Sequence, residues 1–282
     1  MLQCDNIPVL LLTGYLGSGK TTLLNRILTN RRGIRFAVIV NDIGEVNIDA
    51  ELIQKGGVVA QQDDNLVALQ NGCICCSLKM DLVQQLHDLC AANAFDYIVI
   101  EASGICEPAP IAQTICSYTS LIASSPNSPS PKLDAIVTVV DALRMRDEFV
   151  EQLSPMTNSQ LPIAKAEDLA SLVIEQIEFC NLILLNKVSE VSEEEREHIR
   201  AILRAIQPKA KIIDCDYCDV SFGEILDTNL FDFEQVATSA TWIQKVEENI
   251  KEEHAQHEHH HHHDHHHECD DPHCHCHNHG DE

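Results

Sequence analysis

Gly14-Tyr-Leu-Gly-Ser-Gly-Lys-Thr21 lies between an apolar run, Ile7 to Thr13, and a segment of helical character, Thr21 to Thr29. The pattern is G-x-x-x-x-G-K-[ST], in which glycines let successive backbone N–H groups curl around phosphate oxygens. An ordinary glycine turn is the competing reading, and the strand-then-helix setting disfavours it. The stretch therefore predicts a phosphate-binding loop at the carboxyl end of a parallel strand. Gly14, Gly17, Ser18, Gly19, Lys20, Thr21 and Thr22 are the expected nucleotide contacts. Lys20 is expected to reach the β and γ oxygens and the Thr21 hydroxyl to ligate Mg²⁺.

Working outward, short apolar runs alternate with helical segments. Ile7 to Thr13, Phe36 to Asn41, Tyr97 to Glu101, Ala135 to Asp141, Leu182 to Asn186 and Lys211 to Asp214 read as strands. Thr21 to Thr29, Asp81 to Ala92, Ala166 to Phe179 and Ser192 to Ala205 read as helices, the last opening with Ser192 three residues before Glu195 as a capping box. Of the 282 residues 44% are hydrophobic and only 4% aromatic, which suits strands buried on both faces beneath covering helices. The prediction is an α/β fold: a doubly wound, mostly parallel sheet with a disordered His-rich C-terminal tail.

The formal net charge of -25 repels phosphate backbones, and no basic stripe interleaved with aromatics offsets it, so nucleic acid is not an expected partner. No run approaches the roughly 18 apolar residues of a membrane span. Ile7 to Leu12 lacks a basic leader and reads as a strand, not a signal peptide. A cytoplasmic protein without a membrane partner is expected. In that compartment the 13 cysteines point to metal binding or chemistry before disulfides. The Ser/Pro-rich stretch from Ser124 to Pro131 reads as an exposed loop. From His254 onward the composition cannot bury an apolar core.

Glu101 ends the run YIVIE and is the candidate to hold or orient Mg²⁺ and its water beside Lys20 and Thr21. Asp141, ending IVTVVD, is a weaker candidate, equally suited to capping the next helix. Asn186-Lys187 follows the strand LILL, as in the Asn-Lys-x-Asp loop whose Asp accepts hydrogen bonds from guanine. Here position 189 is Ser, so GTP is preferred while ATP stays open.

Asn71-Gly72-Cys73-Ile74-Cys75-Cys76 places three thiols within four residues, between the second strand and the one carrying Glu101. Thiolates select Zn²⁺ and other soft ions, and three protein ligands leave a tetrahedral ion one open position. Cys4, Cys90, Cys106, Cys116 and Cys180 read instead as small apolar residues. Cys215 and Cys218 form a lone CxxC read as coincidental. Fourteen of the 16 histidines, with Cys269, Cys274 and Cys276, follow Glu253 and offer overlapping metal sites. Their interrupted order is unlike an affinity tag.

The combination GYLGSGKTTLL, NGCICC and EASG resembles the CobW-type metal-chaperone GTPases, over roughly Ile7 to Asp227. The resemblance implies that Asn41 to Asp49, NDIGEVNID, is a nucleotide-sensing switch, with Asp42 and Glu45 as further metal or Mg²⁺ ligands. It also implies that the family's C-terminal domain is reduced here to a remnant. The expected domains are 1–230 as the GTPase, 231–253 as the remnant and 254–282 as the metal-binding tail. The resulting expectation is a GTP-hydrolysing metallochaperone using GTP and Mg²⁺. Its ion is Zn²⁺ first, with Ni²⁺ or Co²⁺ as alternatives, and its partner a client metalloprotein or metal-cofactor pathway. A homodimer is left open. The rival readings are a metal buffer or sensor with a regulatory nucleotide site, and a nickel- or cobalt-insertion NTPase.

Overall fold

The computed structural model describes residues 6–29, 33–41, 66–71, 79–121, 129–150 and 163–233, all within one compact unit spanning residues 1–236. Seven strands form a single sheet in the order β3-β2-β4-β1-β5-β6-β7. They are β1 (Ile7–Thr13), β2 (Phe36–Asn41), β3 (Leu66–Asn71), β4 (Tyr97–Glu101), β5 (Pro131–Asp141), β6 (Leu182–Asn186) and β7 (Lys211–Asp214). Every pairing is parallel. Parallel strands need crossover connections, and the helices supply them: α1 (Lys20–Leu28), α2 (Lys79–Ala92), α3 (Pro108–Leu121), α4 (Ile163–Glu178) and α5 (Glu193–Ile206). The expected α/β class and six of the strands are found.

Two elements escaped the sequence reading. β3 is a short strand whose only partner among the described residues is β2, so its identity depends on a pairing distant along the chain. α3 begins Pro-Ala-Pro, which reads as a breaker, yet the N–H groups of a first turn have no intrahelical acceptor and proline loses nothing there. Pro131, expected in the Ser/Pro loop, instead opens β5 and pairs with Ile7; residues 124–128 of that loop lie outside the described residues. The Ser192 capping box is present, with Glu195 N–H donating to Ser192 Oγ at 3.3 Å and Ser192 N–H to Glu195 Oε2 at 2.7 Å.

β4 and β6 are buried at every position, as expected of strands covered on both faces. Leu23, Leu24 and Ile27 of α1 pack with Leu10 and Leu12 of β1 and Val137 of β5 in one core. This seats the helix directly behind the glycine loop. The register brings Leu12 opposite Glu101, Val40 opposite Glu101, and Asp141 opposite Asn186, so the polar strand ends line up along one edge.

A bulge fixes the other end of the sheet. Val9 pairs with Leu133 and Leu10 with Ala135, leaving Asp134 as the extra residue of β5. Asp134 is 3% exposed, and its carboxylate accepts from Tyr97 Oη at 2.5 Å, Thr228 N at 3.1 Å and Asn229 N at 2.5 Å. Burial and this neighbouring carboxylate push the Tyr97 phenol far above its usual range, so it remains a donor. Asp134→Ala would strand these donors, and about 3 kcal/mol of lost stability is expected in urea denaturation.

Candidate functional site

The glycine loop joins β1 to α1 at the middle of the sheet, where strand order reverses. Gly14, Gly17 and Gly19 have φ of 133°, 76° and 118°, in the region that penalises side chains. A Cβ on Gly14 would stand 2.3 Å from Val139 O, and one on Gly19 would stand 2.5 Å from Asn186 Nδ2. The loop is therefore pressed against β5 on one side and the end of β6 on the other. Its last residue caps α1 without a side chain, which leaves the helix N-terminal N–H groups for an anion.

Within the loop, Lys20 is 8% exposed and its Nζ donates to Tyr15 O at 3.4 Å. Thr21 Oγ1 donates to Glu101 Oε1 at 3.4 Å, across 80 residues of sequence. The structure thus brings together the hydroxyl and the carboxylate that the sequence singled out for Mg²⁺. These hard oxygen donors suit Mg²⁺ better than a soft metal. Ser18 Oγ is buried in the loop with no hydrogen-bond partner among the described residues, and a phosphate oxygen would complete it. The residues present fit a magnesium-nucleotide substrate.

The turn after Glu101 is held close. A Cβ on Gly104 would lie 2.7 Å from Leu16 N, so only glycine lets this turn approach the loop tip. Gln176 of α4, 1% exposed, donates from Nε2 to Gly104 O and Cys106 O, each at 3.2 Å. Its own backbone carbonyl accepts from Thr138 Oγ1 at 2.8 Å, and Thr138 Oγ1 lies 2.8 Å from Thr13 Oγ1. Arg144 holds the tip from the other side, donating to Leu16 O at 3.2 Å with its guanidinium 4.1 Å from the Tyr15 ring centre. Neither Gln176 nor Arg144 was legible beforehand, because a glutamine in a helix and an arginine after a strand carry no local mark of what they touch.

Asp141 resolves to scaffolding. Its carboxylate accepts from Arg144 N at 3.2 Å, capping the helical turn Ala142–Arg144, and forms an ion pair with Lys187 Nζ. Asn186 is 3% exposed and bridges the site: Nδ2 donates to Ser18 O at 2.8 Å, while Oδ1 accepts from Cys218 N at 3.0 Å. Lys187 follows in a left-handed conformation, φ 63°.

Cys215 and Cys218, to which spacing alone assigned no role, sit under the loop. Cys218 Sγ is 3.4 Å from Gly19 O, and Cys215 Sγ is 3.8 Å from Asn186 Oδ1. The hydrogen bond from Cys218 lowers the Cys215 thiol below its ordinary range, while the same bond and burial raise Cys218. Burial pushes Cys90 and Cys116 up to about 11 and Cys180 up to about 12, in keeping with uncharged packing residues. Among the described residues no group of three or more His, Cys, Asp or Glu converges on a metal-sized site. Cys73, Cys75, Cys76, Asp42, Glu45, Cys4 and the stretch from His254 onward lie outside the described residues. Among the described residues no helix is long and apolar enough to cross a membrane.

The chain is similar to known proteins. The chain is 38% identical over 252 residues to zinc-regulated GTPase metalloprotein activator 1 of Dictyostelium discoideum, covering 86% of this chain and 52% of that protein. It is 34% identical over 238 residues to the zinc chaperone YjiA of Escherichia coli, covering 83% of this chain and 65% of that protein. A crystal structure of a zinc-bound triple mutant of the YjiA GTPase superposes with a TM-score of 0.53 at 28% identity, over 81% of this chain and 63% of that one. The chain thus spans between about half and two thirds of the length of these relatives. The family model for the CobW/HypB/UreG nucleotide-binding domain matches residues 8–214, from the first core strand to the last, and the chain belongs to that family.

Proposed function

We propose that this chain hydrolyses GTP in the cytosol to control the binding and release of a transition metal, Zn²⁺ foremost, which it passes to a client metalloprotein. The observation that carries the reading is the 3.4 Å approach of Thr21 Oγ1 to Glu101 Oε1 beneath a glycine loop shaped for phosphates. The names of the relatives point to zinc as the cargo.

In this reading the loop N–H groups and the N-terminus of α1 bind the phosphates, and the Lys20 ammonium sits against the charge that builds on the β and γ oxygens. Thr21 and Glu101 would hold Mg²⁺, which when bound would offset the negative charge of the phosphates. Gln176 and Arg144 keep the Glu101 turn and the loop tip in register. Water attacks the γ-phosphorus, and the bond to the β-γ bridging oxygen breaks to leave GDP and phosphate.

Metal coupling follows from placement in the sequence. β2 and β3 end side by side at Asn41 and Asn71, at the same end of the sheet as the glycine loop. Asp42 follows the first directly, and Cys73 comes two residues after the second. Cys73, Cys75 and Cys76 are the thiolates assigned to the transferable Zn²⁺, Asp42 and Glu45 its oxygen partners, and the His/Cys-rich stretch a collector. Phosphate contacts that order switch segments bias whatever ligands those segments carry.

The coupling is measured as Zn²⁺ affinity of a variant ending at Glu253, by competition with a chromophoric chelator, with GDP or a non-hydrolysable GTP analogue bound. A difference of about tenfold between the two states is expected, lost on replacing all three of these cysteines by serine. Equal affinities in the two states would overturn the coupling.

A further inference from the structure

The loop that should read the base lacks its carboxylate, and a second loop supplies one. Ser189 stands where the Asn-Lys-x-Asp pattern places aspartate. Yet Ser189 N–H and Ser189 Oγ both donate to Asp216 Oδ1, at 3.0 and 2.9 Å. Asp216 follows β7, whereas Ser189 follows β6. The missing side chain is thereby replaced, one hydrogen bond further out, by a carboxylate from the neighbouring strand end. We propose that Asp216 is the guanine-reading residue of this protein, with Tyr217 beside it as an aromatic face for the base. The proposal rests on the reading of the chain as a guanine-nucleotide hydrolase.

The Asp216 loop is built to hold a set geometry. Tyr217 and Cys218 are consecutive non-glycine residues at φ 52°, each in the left-handed region. Such conformations cost free energy and persist only where surrounding contacts impose them. Here Cys218 N–H donates to Asn186 Oδ1 at 3.0 Å, Asp219 N–H to Asp216 O at 3.0 Å, and Val188 N–H to Cys215 O at 3.4 Å. These bonds pin the loop to the Asn186-Lys187 segment and, through Asn186, to the glycine loop. The same turn leaves Tyr217 76% exposed, although Cys215 and Cys218 to either side of it are buried. A large aromatic held in solvent by a strained backbone has an unpaid hydration cost that a stacked base would remove.

Hydrogen-bond chemistry then sets the preference. Ser189 occupies Oδ1, which leaves Oδ2 for the base edge. A carboxylate only accepts, and each of its oxygens takes two hydrogen bonds. Guanine offers N1–H and the N2 amino group to it. Adenine offers the N1 lone pair, which the carboxylate repels. Xanthine, with a carbonyl at C2, is repelled likewise unless the carboxylate becomes an amide. Because Ser189 anchors the oxygen, an asparagine at 216 would put its NH₂ where Oδ2 was.

The test measures affinities of the full-length protein for GDP, ADP, inosine diphosphate and xanthosine diphosphate. Wild type is expected to prefer GDP over ADP, and to bind inosine diphosphate, which lacks N2, about tenfold more weakly than GDP. In Asp216→Asn, GDP affinity is expected to fall about a hundredfold while xanthosine diphosphate affinity rises. Adding Ser189→Asp to that variant restores GDP binding. Lys20→Ala, which weakens all four nucleotides alike, controls for phosphate binding. An unchanged GDP preference in folded Asp216→Asn would overturn the proposal while leaving the hydrolase reading intact. If wild type bound ADP as tightly as GDP, both the proposal and the guanine assignment would fall. The inosine comparison needs no variant, so equal GDP and inosine diphosphate affinities overturn the proposal even if Asp216→Asn does not fold.

Discussion

Lys20→Ala lowers the rate of GTP hydrolysis by about a thousandfold, to background, in a protein that still melts cooperatively. The ammonium belongs to the first residue of α1 and is held inward at 8% exposure, with Tyr15 O at 3.4 Å as an acceptor inside the loop. A buried cation in a glycine cradle stands ready for charge that develops in the transition state, and water cannot replace it there without reorganisation. The helix itself does not depend on the side chain: Leu23, Leu24 and Ile27 anchor it in the core. Alanine is the better helix former besides. Fold and activity should therefore separate, with a wild-type-like melting curve and no phosphate release in a malachite-green assay. Unchanged turnover would remove the hydrolase assignment altogether.

Gly19→Ala acts on both at once. The residue sits at φ 118°, and the added Cβ would meet Asn186 Nδ2 at 2.5 Å and Cys218 Sγ at 3.1 Å. Neither neighbour can give way cheaply. Asn186 is 3% exposed and satisfied by Ser18 O and Cys218 N, and Cys218 lies on a strained turn. A loss of about 3 kcal/mol in urea denaturation is expected, with nucleotide affinity down by more than about a hundredfold. Gly17→Ala is the control, because its φ is 76° but nothing lies within 4 Å of the new methyl group. There only the backbone cost of about 1 kcal/mol is expected. Equal losses in the two variants would show that backbone conformation alone, and not the contact with Asn186, sets the requirement at Gly19.

Both predictions concern residues that could be read off one line of sequence, because the glycine loop acts through its own backbone. A strand, a turn and a helix start are local, and so Ile7 to Thr13, Lys20, Thr21 and the Ser192 capping box were recognisable from neighbours in the chain. Glu101 was legible for a related reason: an acid ending an apolar run marks the carboxyl end of a strand, and parallel strands bring those ends together. Helix α3 and strand β3 were missed where local signals misled or were too short. Prolines at Pro108 and Pro110 look like breakers unless they are known to fall in a first turn, and β3 declares itself only by its partner.

The chain's own order of residues gave away its class and its glycine loop, and marked Thr21 and Glu101 as candidates that the fold then brought together. Contacts made at long range decided the rest. Spacing made Cys215 and Cys218 look accidental, and Ser189 left GTP preferred with ATP open; folding put the first pair under Gly19 and set the Asp216 carboxylate against Ser189. The reason is that a parallel sheet gathers the ends of strands from remote parts of the chain. Which side chain meets which there depends on register and on the loops' bends, and neither can be read from residues only a few places apart.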